Sequence, residues 1–295
     1  MADLSANRVS MPLRIAAIVP ERDAKLAAMP AYLPSSGALV TKLVSLFPRN
    51  TDRPTHQAVI VVFDADNGSP LALMDGEAIT AARTAAGSAL ATDLLARKDP
   101  YRLVVIGTGV QARAHLRAVS RVRKFGAICV VGRDREKAEA LAKEFGASGY
   151  VDIQQALREA DVVCACTHSK EPVVRREWLK PGVHVNSVGY NTAGREVDGA
   201  TFRDALVVVE SRAAALAAPP AGSNDIAMAI AEGAMTPEHV HAEIGELVSG
   251  ARTGRTDATQ ITLYKSVGVA VQDAAAAAMV LEAARKSGVS RTIDL

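Results

Sequence analysis

A chain of 295 residues, 49% apolar and 22% charged, has material for two domains with their own cores and too little polar excess for long disordered tails. The 34 lysines and arginines nearly balance the 32 aspartates and glutamates, and a net charge of +2 excludes an electrostatic grip on nucleic acid or membrane. No apolar stretch nears the ~20 residues of a membrane span, and no apolar signal region follows Met1, so a cytoplasmic setting is expected.

In chain order, residues 38–47, 58–63 and 70–74 read as strands of an antiparallel sheet, with Asn67-Gly68 as a tight hairpin turn. Pro12, Pro20, Pro30, Pro34, Pro48 and Pro54 are expected to confine the preceding segments to short extended pieces. The Ala-rich stretch 77–97, free of proline, reads as a helix linking two lobes. After Pro100 the pattern becomes strands alternating with helices: 103–106, helix 111–122, 128–131, helix 135–145, then strands at 162–165, 183–188 and 206–209. Such alternation predicts an α/β domain with a parallel sheet covered on both faces, because parallel strands need long crossovers. Residues 213–259 read as short helices and loops, and 269–285 as a final helix. Cys129, Cys164 and Cys166 fall in apolar runs expected to be buried strands, and a one-residue spacing suits neither a redox pair nor zinc, so no metal is expected.

Leu103-Val104-Val105-Ile106 runs into Gly107-Thr108-Gly109-Val110-Gln111-Ala112, a G-x-G-x-x-A loop between a strand and a helix. Gly107 allows the tight turn, Gly109 lets backbone approach a pyrophosphate, Ala112 lets the helix pack closely, and the helix N-terminus faces the phosphates. The next strand ends in Val131-Gly132-Arg133-Asp134-Arg135, where NAD enzymes usually place an acid for the ribose 2′-hydroxyl. A guanidinium at Arg133 suits a 2′-phosphate instead, so NADP(H) is favoured and NAD(H) possible through Asp134.

Met11-Pro12-Leu13-Arg14, Thr41-Lys42-Leu43-Val44, His56-Gln57-Ala58, Met74-Asp75-Gly76, Arg83-Thr84-Ala85-Ala86, the glycine loop, Asn186-Ser187-Val188-Gly189 and Lys265-Ser266-Val267-Gly268 follow one another in an order that resembles the ornithine cyclodeaminase and mu-crystallin family. The resemblance implies a Rossmann domain (98–267) inserted into a substrate-binding and dimerisation lobe made from both chain ends (1–97 and 268–295), and a homodimer. It implies that Arg14, Lys42 and Arg83 surround the carboxylate and reacting nitrogen of a small imino or amino acid, with Lys42 and Arg14 catalytic. It also implies that Arg83, Thr84, Gly107, Gly109, Val110, Gln111, Arg133, Thr167, Val188, Gly189 and Ser266 contact the cofactor, together with His56.

Two departures qualify the likeness. Where cyclodeaminases carry an acid after Val-Gly, this chain has Tyr190-Asn191, and an amide does not exchange protons at neutral pH. Arg14 also comes early in the chain, so the leading helical segment that precedes it in the family is expected to be absent. The expected activity is therefore NADPH-dependent reduction of a cyclic ketimine, Δ1-pyrroline-2-carboxylate or Δ1-piperideine-2-carboxylate, to proline or pipecolate. The alternatives are an ornithine cyclodeaminase, an alanine-type dehydrogenase, or a non-catalytic NADPH-dependent small-ligand-binding protein.

Overall fold

The computed structural model describes residues 1–150, 152–191 and 193–291. The chain separates into two compact units, one of Asp3–Arg83 with the segment from Val269 on, the other Thr84–Gly268. The second break lies between Gly268 and Val269. The first lies inside the linking helix, between Arg83 and Thr84, rather than at its end near residue 97.

The first unit starts with α1 (Ala2–Ser5) and an antiparallel sheet of β1 (Ile15–Val19), β2 (Ala24–Leu33), β3 (Ala38–Leu46), β4 (His56–Phe63) and β5 (Pro70–Asp75), each beside the next in chain order. α2 (Gly76–Leu95) follows and carries the break. The second unit runs β6 (Arg102–Ile106), α3 (Val110–Val122), β7 (Ala127–Val131), α4 (Arg135–Glu144), β8 (Ser148–Tyr150), α5 (Ile153–Arg158), β9 (Val162–Ala165) and β10 (His184–Ser187). It continues through α6 (Gly199–Asp204), β11 (Ala205–Val209), α7 (Arg212–Ala215), α8 (Asn224–Ala231), β12 (Val240–Glu243), α9 (Ile244–Val248) and β13 (Ile261–Lys265). α10 (Ala270–Ser287) returns to the first unit.

In the first unit α10 packs across β2, β3 and β4. Paired residues of neighbouring strands share a face, so Met29, Lys42 and Ile60 lie together, and all three are buried. Val271, Ala274 and Ala277 of α10 are buried as well. The opposite face carries Ile15, Leu26, Val59 and Leu73, of which Ile15 is 71% and Leu73 62% exposed.

Two expectations for this unit need correction. The proline-rich stretch does not break into short pieces, because β2 is ten residues long with Pro30 inside it. β1 pairs with β2 only up to Ala28, and Tyr32 turns its N–H to Ser10 on that side, so Pro30 places its missing donor where no ladder bond is due. The hairpin joining β4 to β5 forms, but through a loop over residues 64–69 and not a two-residue turn. Gly68 alone of the Asn67-Gly68 pair has positive φ, while the Asp64 carboxylate accepts from the N–H groups of Asp66 and Asn67.

The second unit is an all-parallel sheet of eight strands in the order β12-β11-β13-β10-β9-β6-β7-β8. Successive residues of β6 feed opposite cores: Val104 and Ile106 join Val131, Val163, Val185 and Phe202, whereas Leu103 and Val105 join Ala112, Leu116, Val119 and Leu141. A strand covered on both faces has no solvent side to carry polar residues, which is why Leu103-Val104-Val105-Ile106 shows no alternation. The chain winds from β6 to β8 in one direction and resumes at β9 on the other side of β6. The ends of β6 and β9 therefore flank the switch point where doubly wound sheets hold ligands. The reading of 213–259 omitted β12, and that of the sheet omitted β8 and β13, each too short or too mixed in polarity to stand out. Cys129 and Cys164 lie in β7 and β9 as expected, but Cys166 sits just past β9 and is half-buried.

At the other end of this sheet, buried Asp161 accepts from the N–H groups of Tyr101 and Arg102 and pairs with Arg97 and Lys180. Burial opposes its ionisation, but Lys180 and the two N–H groups outweigh it and hold the carboxyl below its ordinary value. Its contribution is present above the ordinary carboxylate range and is lost as pH falls through the lowered value. Asp161→Ala should cost about 3–5 kcal/mol in urea unfolding at pH 7, because two buried donors and two cations lose their acceptor. The gap between wild type and variant should narrow below pH 4; a loss under about 1 kcal/mol at pH 7 would contradict this account.

Candidate active site

Two groups of expected residues come together, each within one unit. In the first, β3 supplies Lys42, α2 Arg83 and α10 Asp273. Lys42 Nζ lies 2.8 Å from Asp273 Oδ2, and Arg83 Nε donates to Asp273 Oδ1 at 3.0 Å. Arg83 Nη1 donates to Gln272 Oε1 at 3.2 Å. Lys42 is 2% exposed and Asp273 has no solvent contact.

Two cations thus share one carboxylate in a dry setting, one positive charge in excess. Burial and then the Arg83 charge pull Lys42 down to about 8, against the opposing pull of Asp273. For Asp273, burial works against ionisation, but Arg83 and Lys42 prevail and the carboxyl sits below its ordinary value. The Arg14 charge also lowers Lys42, so both expected arginines act on the lysine. His56, half-buried at the start of β4, is lowered by burial and then by Lys42 and Arg83, which keeps it neutral near pH 7. His56 and Arg83, expected to touch cofactor as well, lie in this unit.

In the second unit the glycine loop leaves the end of β6. Gly107 has φ +119°, and a side chain there would press within 2.6 Å of the Cys166 carbonyl oxygen beyond β9, so only glycine lets the two backbones meet at the switch point. A Cβ at Gly109 would meet nothing within 4 Å, and no side chain caps α3 at Gly109, which leaves the first N–H groups of the helix without a capping side chain. Val110 is exposed and Gln111 keeps a buried Oε1 without a partner among the described residues. These features fit a dinucleotide pyrophosphate. One turn on, buried His115, pulled down to about 4 by burial, bridges the Gln111 carbonyl and Ser88 Oγ and ties α3 to α2.

Arg133 is exposed after β7 and pairs with no carboxylate among the described residues. Asp134 is engaged elsewhere: its side chain accepts from Lys137 N at 3.1 Å and caps α4. Thr84 is buried on α2.

Sequence reasoning missed the buried charges that hold the remaining loops. Glu196 Oε1 accepts from Thr167 N at 2.5 Å and Thr167 Oγ1 at 2.7 Å, while Oε2 accepts from Ser187 Oγ at 2.8 Å and Gly189 N at 2.7 Å. Lys265 Nζ donates to Ser187 Oγ and the Gly189 carbonyl and pairs with Asp225 at 3.0 Å, and Asp225 Oδ1 accepts from the N–H groups of Glu196 and Val197. The loops after β9, β10 and β13 are joined in one ring, in which a Gly189 side chain would strike the Thr167 carbonyl oxygen at 2.4 Å. Val188 N adds a bond to the Ala165 carbonyl, and Glu210 accepts from Ser266 Oγ, Val267 N and Gly268 N. Asn191 donates its amide to the carbonyls of His168 and Ser169 and accepts from Ala193 N, a set of bonds that uses it as a brace.

A fold with this switch-point loop and this ring of buried charges defines a Rossmann-type dinucleotide-binding protein. The profile of the ornithine cyclodeaminase/mu-crystallin family matches residues 1–288, and the chain belongs to that family as an oxidoreductase. Ketimine reductase mu-crystallin of Mus musculus is 39% identical over 279 residues, which span 93% of this chain and 85% of the mouse protein. The structure of Thermococcus litoralis Δ1-pyrroline-2-carboxylate reductase, in complex with NADH and L-proline, superposes with TM-score 0.94 at 38% identity over 99% of this chain and 92% of that one. An archaeal alanine dehydrogenase dimer with bound NAD superposes with TM-score 0.92 at 31% identity, covering 100% of this chain and 91% of that one.

The ring predicts a measurable link to nucleotide binding. Glu196→Gln turns an amide toward donors that need an acceptor, at about 1–3 kcal/mol for each one left unmatched. Titration of nicotinamide fluorescence should therefore give a dissociation constant raised by about tenfold or more. Unchanged affinity in a folded variant would remove Glu196 from this role.

Proposed function

We propose that the chain reduces a cyclic ketimine carboxylate, Δ1-pyrroline-2-carboxylate or Δ1-piperideine-2-carboxylate, to proline or pipecolate with NADPH. The observation that carries this reading is the buried Lys42–Asp273–Arg83 group, one positive charge in excess, with an ammonium poised near neutrality. Arg14 adds to that excess, and the carboxylate of the ligand answers it. Arg83, through Nη2, and Arg14 hold and orient that carboxylate by charge-assisted hydrogen bonds. Lys42 hydrogen-bonds the imine nitrogen and delivers the proton it needs as C2 is reduced, a transfer that suits a group titrating near pH 8. When bound, the reduced nicotinamide supplies the hydride.

Gly107, Gly109, Val110 and Gln111 would hold its pyrophosphate, and Thr84, Thr167, Val188, Gly189 and Ser266 the rest of the cofactor. Arg133 would pair with a 2′-phosphate, a reading supported by the engagement of Asp134 as a helix cap. The bracing bonds of Asn191 weigh against proton transfer at that position, and so against ornithine cyclisation. The likeness to the alanine dehydrogenase keeps an open-chain imino acid as the second reading.

The test is oxidation of NADPH and of NADH by purified protein with each cyclic ketimine, and with pyruvate plus ammonia. Cyclic ketimines should be the better substrates; turnover with pyruvate and ammonia alone would establish the second reading. Lys42→Ala should lower ketimine turnover by about 10²–10⁴-fold with nucleotide affinity retained. Arg133→Ala should weaken NADPH by about tenfold or more and leave NADH nearly unchanged.

The exposed apolar face of the antiparallel sheet supports a homodimer built on a second copy of this chain. Sedimentation should give twice the 30.9 kDa chain mass, and Leu73→Asp should shift it toward the monomer. A monomeric wild type would exclude this assembly.

A further inference from the structure

Asp273 stands in the first turn of α10, in a helix otherwise rich in alanine, and is the one carboxylate among the described residues that meets Lys42 and Arg83. The groups around Lys42 can be named element by element: Met29 from β2, Ile60 from β4, Arg83 from α2, Gln272 and Asp273 from α10, with Arg14 ahead of β1 and His56 opening β4 contributing to the charge. Among these only Asp273 is anionic.

We propose that Asp273 is a positioning residue that acts through Lys42 and Arg83, giving one oxygen to each cation so that the pair stays side by side and charged, with a single positive charge left for a monocarboxylate ligand. This deepens the ketimine reading and depends on it only for the identity of the ligand. Each contact has its consequence. The Nε bond to Asp273 and the Nη1 bond to Gln272 fix the plane of the Arg83 guanidinium and leave Nη2 for a ligand oxygen. The ammonium of Lys42 uses one direction on Oδ2 and keeps its other N–H donors. Without the carboxylate, two cations would face each other in a dry setting, and the lysine, the only one able to discharge near neutral pH, would lose its proton.

The probe is cyclopentanecarboxylate, a ring acid whose only titratable group is fully ionised above pH 6, bound calorimetrically to the full chain between pH 6 and 10. In wild type its affinity should be level at low pH and fall as pH rises through about 8, where Lys42 discharges. Binding at pH 8.5, repeated in buffers of different ionisation enthalpy, should take up part of a proton, and binding at pH 6.5 none. In Asp273→Asn the fall should begin lower by about one to three pH units. Asp273→Glu should restore most of the wild-type profile.

An unmoved profile in folded Asp273→Asn would overturn the proposal, as would wild-type binding at pH 8.5 without proton uptake, a measurement that needs no variant. Absence of carboxylate binding at every pH would overturn it too. Failure of every ketimine to oxidise NADPH or NADH, with the carboxylate profile as described, would sink the reductase reading and leave the role of Asp273 standing.

Discussion

A carboxylate with no solvent contact, shared between an ammonium and a guanidinium, is the arrangement on which the first unit turns. Taking three charges out of water costs several kcal/mol apiece unless each meets its opposite, and here one anion serves two cations. Hydrophobic packing alone would favour a leucine at residue 42, on the covered face between Met29 and Ile60. The strand instead carries a lysine there, and α10 must bring Asp273 over it. The apolar contacts of Val271, Ala274 and Ala277 therefore also set the register of a charged site.

The second unit solves a related problem with loops. Beside the switch point the strands are apolar over residues 103–106 and 162–165, so the groups proposed to face a ligand come from the turns beyond their C-terminal ends. Such turns are mobile unless something inside holds them. Glu196, Asp225, Lys265 and Glu210 do this from beneath, through bonds to backbone and hydroxyl groups and not to solvent. Buried charges with complete sets of partners specify one geometry more sharply than apolar contacts do, because any other geometry leaves a charge unmatched.

Much of this was legible beforehand, and the exceptions have physical causes. The doubly wound sheet followed from apolar runs spaced by helices, and the glycine loop from its place between strand and helix. β13 escaped because Ile261-Thr262-Leu263-Tyr264-Lys265 mixes polarity in a strand that is buried from end to end, its polar groups finding partners inside. Asp273 was missed because one acid near the start of an alanine-rich helix reads as a complement to the helix dipole. Its phase was the available signal: it falls on the stripe of Ala270, Ala274 and Ala277, where a solvated acid has no place. Lys42 and Arg83 were reached through motif order and not from periodicity, since no pattern of hydrophobicity distinguishes a lysine that binds from one that is solvated.

Pro30 has a further consequence for how the sheet meets other molecules. On the outer side of β2 the Ile15–Ala28 pair and the Ser10–Tyr32 bridge leave Pro30 between them without a ladder partner among the described residues, and an unpaired edge position is where a foreign strand can begin to pair. An imino acid placed in that gap offers a carbonyl but no hydrogen, so an incoming chain cannot complete a rung there. The sheet thereby guards its own rim against misassembly while its broad apolar face stays free for a specific contact.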